Sequence, residues 1–188
     1  TMLDGIPGFY HRFGYVRAWP DALWVADLAA LPRPAKHPAL HPVTDQWPVL
    51  DRLYNRQNGA LTGTAVRPTY GRNRRPKDWK AWYWRSGRVV TGYVVVNALE
   101  DALELVDHAG EADRVLEVLA HLAAREGFRK VRFPALHYRG ELCRKLRSLT
   151  CRYEQWMGSG GWMVRTVSLA GTLDRLQAVL ARRLRAAG

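Results

Sequence analysis

The chain has 188 residues, 47% hydrophobic and 24% charged, with a formal net charge of +12 and a pI of about 10.3. That composition fits an ordinary globular protein large enough for one sizeable core, and no apolar run approaches the roughly 20 residues of a membrane span. The N-terminus has no basic-then-apolar signal pattern, and Cys143 and Cys151 have no metal-ligand spacing, so the expected setting is soluble, reduced and cytoplasmic.

Taken in order, Pro7 starts a short helix with Phe9, Tyr10 and Phe13 on one face and Gly14 at its end. Residues 15–19 read as a strand, and 21–30 as a strand or a helix. Residues 31–48 hold Pro32, Pro34, Pro38, Pro42 and Pro48, an extended connector. Residues 45–58 place Trp47, Leu50, Leu53 and Tyr54 along one helical face. Residues 59–71 read as loop, and Lys77 or Asp78 as the start of a short helical turn.

Residues 82–85, 89–96 and 103–106 read as three consecutive antiparallel strands joined at Ser86-Gly87 and Glu100-Asp101. The run Val94-Val95-Val96 is apolar on both faces, which predicts a central strand covered on both sides. Residues 113–126 form an amphipathic helix ended by Gly127, 130–133 a strand, and 140–149 a second helix. Residues 151–157 and 162–167 read as a hairpin around Gly158-Ser159-Gly160-Gly161. Leu173, Leu176, Leu180 and Leu184 mark a last helix over 172–184. The sum is an α/β (α+β) fold: a mixed, mainly antiparallel sheet with helices on both faces.

The charge excess is mostly arginine, with lysine only at Lys36, Lys77, Lys80, Lys130 and Lys145. A basic surface attracts anions, nucleic acid among them. The candidate surface is Arg72, Arg74, Arg75, Lys77, Trp79 and Lys80, continuing through Trp82, Trp84, Arg85 and Arg88, where rings and cations interleave. The competing reading packs Trp82 and Trp84 in an edge strand with the cations as solvated cover. His108, beside Asp107, stands between a strand and a helix, where a site histidine is common but a solvated turn residue commoner. His37 and His41 lie in the connector, where exposure explains them more simply than a metal.

The element order is similar to that of the GNAT superfamily of acetyl-CoA-dependent N-acetyltransferases. Gly5-Ile6-Pro7-Gly8-Phe9-Tyr10-His11-Arg12-Phe13-Gly14-Tyr15 resembles a late GNAT helix with a Phe-Tyr-x-x-x-Gly-Phe/Tyr pattern. The combination resembles the enhanced-intracellular-survival branch, with two tandem GNAT domains and a sterol-carrier-like domain. The resemblance implies that 1–30 ends a first GNAT domain, 31–43 is a connector, 44–167 is a second GNAT-like domain and 168–188 is an amphipathic helix. Gly160 to Arg165 resembles the passage into the carrier-like domain. The chain would then be a middle portion, acting as a non-catalytic or truncated GNAT-like module. Its partner would be a missing companion domain or a second copy of itself, and the last helix would dock on the chain's own sheet or on that second copy.

The resemblance further implies acetyl-CoA as cofactor, an amine as acceptor and Tyr10 as the acid that protonates the departing thiolate. An aromatic packed at a domain junction is the alternative for Tyr10. The position of the cofactor's phosphate loop falls on residues 106–113, which carry one glycine, Gly110, and the carboxylates Asp107, Glu111 and Asp113. Carboxylates there compete with a phosphate for the helix N–H groups. No cofactor-binding residue, and no bound cofactor, is expected of this chain alone.

Overall fold

The computed structural model describes residues 2–5, 9–18, 21–34, 38–61, 78–134, 136–156 and 161–187. The chain divides into two compact units, Ala22–Glu154, and Thr1–Asp21 together with Gln155–Gly188. The strands are β1 (Met2–Gly5), β2 (Val16–Arg17), β3 (Asp21–Asp27), β4 (His41–Pro42), β5 (Lys80–Ser86), β6 (Val89–Ala98), β7 (Leu103–Ala109), β8 (Lys130–Pro134), β9 (Cys151–Trp156) and β10 (Gly161–Val164). The α-helices are α1 (Trp47–Asn58), α2 (Ala112–Glu126), α3 (Glu141–Leu146) and α4 (Leu169–Ala187).

The larger sheet has the order β4-β5-β6-β7-β8-β3-β9. The β4/β5, β5/β6, β6/β7 and β3/β8 pairs are antiparallel, and β7/β8 is parallel, since α2 carries the chain from one end of the sheet to the other. The expected mixed, mainly antiparallel sheet is therefore present, and so is the two-faced central strand. On one face Val94 and Val96 of β6 join Trp84, Leu103, Leu105 and the apolar stripe of α2. On the other face Tyr93 and Val95 join Tyr83 and Leu50 and Leu53 of α1. Burying each such Val or Leu contributes about 1.5–3 kcal/mol, so the alternation along β6 couples both layers to one strand.

Several expectations change in detail. The first helix is a 3-10 turn, Tyr10–Phe13, closed by Gly14 at φ +76°. Residues 21–30 resolve into β3 and a 3-10 turn, Leu28–Ala30. The proline-rich connector contributes a two-residue strand, β4, so β5 is not the outermost strand. Asp78 lies in a turn and Trp79 in neither helix nor strand, so no helical turn opens at Asp78, and Lys77 lies outside the described residues. The predicted hairpin is absent: β9 lies beside β3 in the larger sheet, whereas β10 lies between β1 and β2 in a separate three-stranded sheet. Both hydrogen-bonding edges of β10 are thus taken by β1 and β2, which leaves none for β9.

α4 starts earlier than the leucine pattern implies, because the Ser168 side chain accepts the Gly171 N–H at 3.1 Å. Leu169, Leu173, Leu176, Leu180 and Leu184 are all exposed, Leu184 at 74%.

Candidate functional site

The opening between β7 and β8 is the place to look. These parallel strands pair at Leu103–Val131 and Glu104–Arg132, and among the described residues the ladder stops there. β8 ends at Pro134, which has no N–H to continue a ladder. β7 runs on to Ala109, so beyond Glu104 and Arg132 the two strands no longer pair, toward the carboxyl ends where open α/β sheets take ligands.

β7 is longer than the sequence pattern predicts. Val106 is an extra residue, since Val95 pairs with Asp107 and Val96 with Leu105. The bulge re-registers the strand, and Asp107, His108 and Ala109 pair with Val95, Val94 and Tyr93. The buried Tyr93 hydroxyl donates to Asp107 Oδ2 at 3.0 Å, and Asp107 Oδ1 accepts the His108 N–H at 2.9 Å. His108 is accordingly a half-buried strand residue rather than a loop histidine.

Only Gly110 and Glu111 remain as the turn into α2, and both are engaged. Gln57, at the end of α1, accepts the Gly110 N–H through Oε1 at 2.7 Å and donates through Nε2 to the Gly110 carbonyl at 3.2 Å. Gly110 sits at φ +129°, a conformation that favours glycine. The Trp84 indole fills the space beside it. A Cβ added at Gly110 would lie 3.0 Å from Trp84 Cζ2, and one added at Gly92 would lie 2.1 Å from the same atom. Glu111 caps α2, its carboxylate accepting the N–H groups of Asp113 and Arg114 at 3.0 Å each.

The electrostatics around this turn are internally matched. Asp113 pairs with Lys145 at 2.7 Å and Arg114 with Glu117 at 2.7 Å. The hydrogen bond to Asp113 holds the Lys145 ammonium above its usual pKa against an opposing effect of desolvation, with smaller pulls from the charges of Asp113, Glu111 and Glu141. A phosphate cradle needs N–H groups at the helix start that are open and free of competing negative charge. Here Gln57 and Glu111 occupy those of Gly110, Asp113 and Arg114. The turn as built does not fit the pyrophosphate of a CoA thioester.

Next to the turn is a cleft of about 210 Å³, lined by the end of α1 and Leu61, by His108 of β7 and by the segment from Leu136 to Arg144. His108, His137, Arg139 and Arg144 lie on it. Cys143 also lines it and is otherwise buried. The Cys151 thiol is pushed up in pKa by burial and then by Asp27, opposite to an activated nucleophile.

The remaining residues singled out from the sequence fall elsewhere. Tyr10 is half-buried, with its ring 5.0 Å from Phe9 and 5.8 Å from Tyr15, in the unit that also contains α4. Arg72, Arg74, Arg75, Lys77 and His37 lie outside the described residues. Lys80 pairs with Glu126 at 3.0 Å, which with Arg125 lowers the Glu126 pKa against a smaller effect of burial. Trp79 packs against the α1 core, and Trp82 and Trp84 belong to the α2 core. Stacking on bases requires an open ring face, and these rings are committed to packing. His41 contacts Arg85 at 3.3 Å and the Tyr83 ring, and among the described residues no three metal-ligating side chains converge. Among the described residues no helix is long and apolar enough to cross a membrane.

Three features of the site escape a reading of sequence patterns: the Gln57 clamp, the Trp84–Gly92–Gly110 contact, and the cleft arginines. Gln57 left a signal, a polar residue four positions after Leu53 and seven after Leu50, on the apolar stripe of α1.

No family model matches the chain, and no curated protein does. Solved structures do. A GCN5-related N-acetyltransferase from Anabaena variabilis is 20% identical, with TM-score 0.62 over 89% of this chain and 46% of its own. A conserved protein of unknown function from Enterococcus faecalis, described as a probable N-acyltransferase, is 19% identical, with TM-score 0.60 over 87% and 44%. A GCN5-related N-acetyltransferase from Kribbella flavida is 13% identical, with TM-score 0.58 over 86% and 41%. At these identities the likeness is one of fold, which is GNAT-like. The chain spans less than half the length of each of these proteins.

Proposed function

We propose that this chain is a non-catalytic GNAT-like module of a larger N-acetyltransferase of the enhanced-intracellular-survival type. In this reading another GNAT domain holds acetyl-CoA and transfers the acetyl group to an amine, and the present module takes no cofactor itself. The observation that carries the proposal is the self-capped turn, in which Glu111 and Gln57 take the backbone groups a pyrophosphate would need. The likeness to N-acetyltransferases about twice as long supports the modular part of the reading.

The 3-10 turn at Tyr10–Phe13 has a role in the same scheme. In this reading Tyr10 belongs to the end of the cofactor-bearing domain, and its phenol hydroxyl protonates the CoA thiolate as it leaves. The Tyr10→Phe change, made in a molecule that includes the cofactor-bearing domain, lowers kcat and leaves acetyl-CoA binding intact. Equal kcat in the two forms would remove Tyr10 from the mechanism.

Calorimetric titration of the chain with acetyl-CoA tests the central claim. No saturable heat is expected. Binding in the micromolar range would overturn the reading of the turn.

A further inference from the structure

The cleft beside the closed turn has chemistry of its own. Its volume of about 210 Å³ is the space of roughly seven liquid waters and lies below that of a drug-sized site. Leu136 and Leu142 give it apolar wall, and the exposed Arg139 and Arg144 are among its lining residues. Neither arginine is in an ion pair with the described residues, unlike Arg114, Lys145 and Arg132 in the same unit. The Arg139 guanidinium lies 5.3 Å from the Tyr138 ring, which leaves its hydrogen-bonding edge uncommitted to a carboxylate. His137 Nδ1 accepts the Arg139 backbone N–H at 3.1 Å, which ties the imidazole to the backbone of the same segment. Glu141 is the one carboxylate among the described lining residues. Two guanidiniums and one carboxylate leave a single net positive charge when the histidines are neutral.

The geometry points to a binding site for a small monocarboxylate with a short alkyl chain. The forked guanidinium donors match a carboxylate, and the leucines take the alkyl part. The net charge suits one negative charge, and Glu141 disfavours a dianion or a polyphosphate. The volume admits an acid of a few carbons and excludes a nucleotide. This inference rests on the reading that the turn holds no acyl-CoA.

Butyrate is the probe. Titrated into the isotopically labelled chain and followed by NMR, it should shift His108, His137 and the 139–144 amides saturably. The expected Kd is on the order of 1 mM, given the few atoms available for contact. Arg139→Gln and Arg144→Gln, both at exposed side chains, should each weaken binding by about tenfold, as for loss of a charge-assisted bond. They should leave the rest of the spectrum in place, which separates lost binding from lost fold. Absence of saturable shifts at several times that concentration overturns the site, as does unchanged affinity in both variants. A parallel titration with acetyl-CoA separates the two proposals. If neither ligand binds, the carboxylate site fails and the non-catalytic reading stands. If acetyl-CoA binds and displaces butyrate, both fail.

Discussion

Replacing Glu111 by alanine tests the physical basis of the closed turn. The carboxylate accepts two backbone N–H groups at 3.0 Å and places a negative charge at the start of a 15-residue helix. Loss of an N-cap costs about 1 kcal/mol and loss of a favourable helix-dipole charge about 0.3–1 kcal/mol. The Glu111→Ala chain should be less stable by about 1.5–2 kcal/mol. With a urea slope near 2 kcal/mol/M, the unfolding midpoint falls by roughly 0.8–1 M, followed through tryptophan fluorescence. Hydrogen exchange gives a local readout, because the Asp113 and Arg114 amides should exchange about tenfold faster or more. Glu111→Gln keeps an acceptor and loses the charge, so its effect should be about half as large. If Glu111→Ala shifts neither the midpoint nor those two amides, the carboxylate is not holding the helix start, and the argument that it excludes a phosphate falls with it.

Other changes probe the neighbouring contacts. Gly92→Ala drives a methyl into the Trp84 indole and to 2.9 Å from the Ala109 carbonyl oxygen, so it should cost about 3 kcal/mol in thermal or urea unfolding. Gln57→Ala leaves the half-buried N–H and carbonyl of Gly110 without their partner and should cost about 2 kcal/mol, with faster exchange at the Gly110 amide. Lys80→Met removes the main cause of the lowered Glu126 pKa. A lowered carboxylate pKa stabilises the fold above the unfolded value near 4.3 and loses that effect as pH falls through the folded value. The native chain should therefore exceed Lys80→Met by less than about 1 kcal/mol at pH 7, since the Lys80 side chain is 53% exposed, and the difference should shrink as pH falls through the lowered folded value of Glu126.

Local pattern determined much of this protein. The triplet Val94-Val95-Val96 identified a strand buried on both faces, because adjacent side chains of a strand point to opposite sides. The stripe from Val115 to Ala123, followed by Gly127, located α2 within a residue or two, because helix period and a left-handed cap are written in neighbouring residues.

Tertiary structure decided the rest. Asp107 to Ala109 became strand through a bulge whose register is set by Tyr93 and Val95 on another strand. Trp82 and Trp84, read from composition as part of a basic aromatic surface, turned inward because α2 covers that face of the sheet. The strands β9 and β10 did not pair with each other, since β1 and β2, distant in sequence, claimed both edges of β10. The turn at Gly110 depends on Gln57, 53 residues earlier, and on Trp84. Contacts across such separations leave no mark in a local window, and they are the contacts that close the turn.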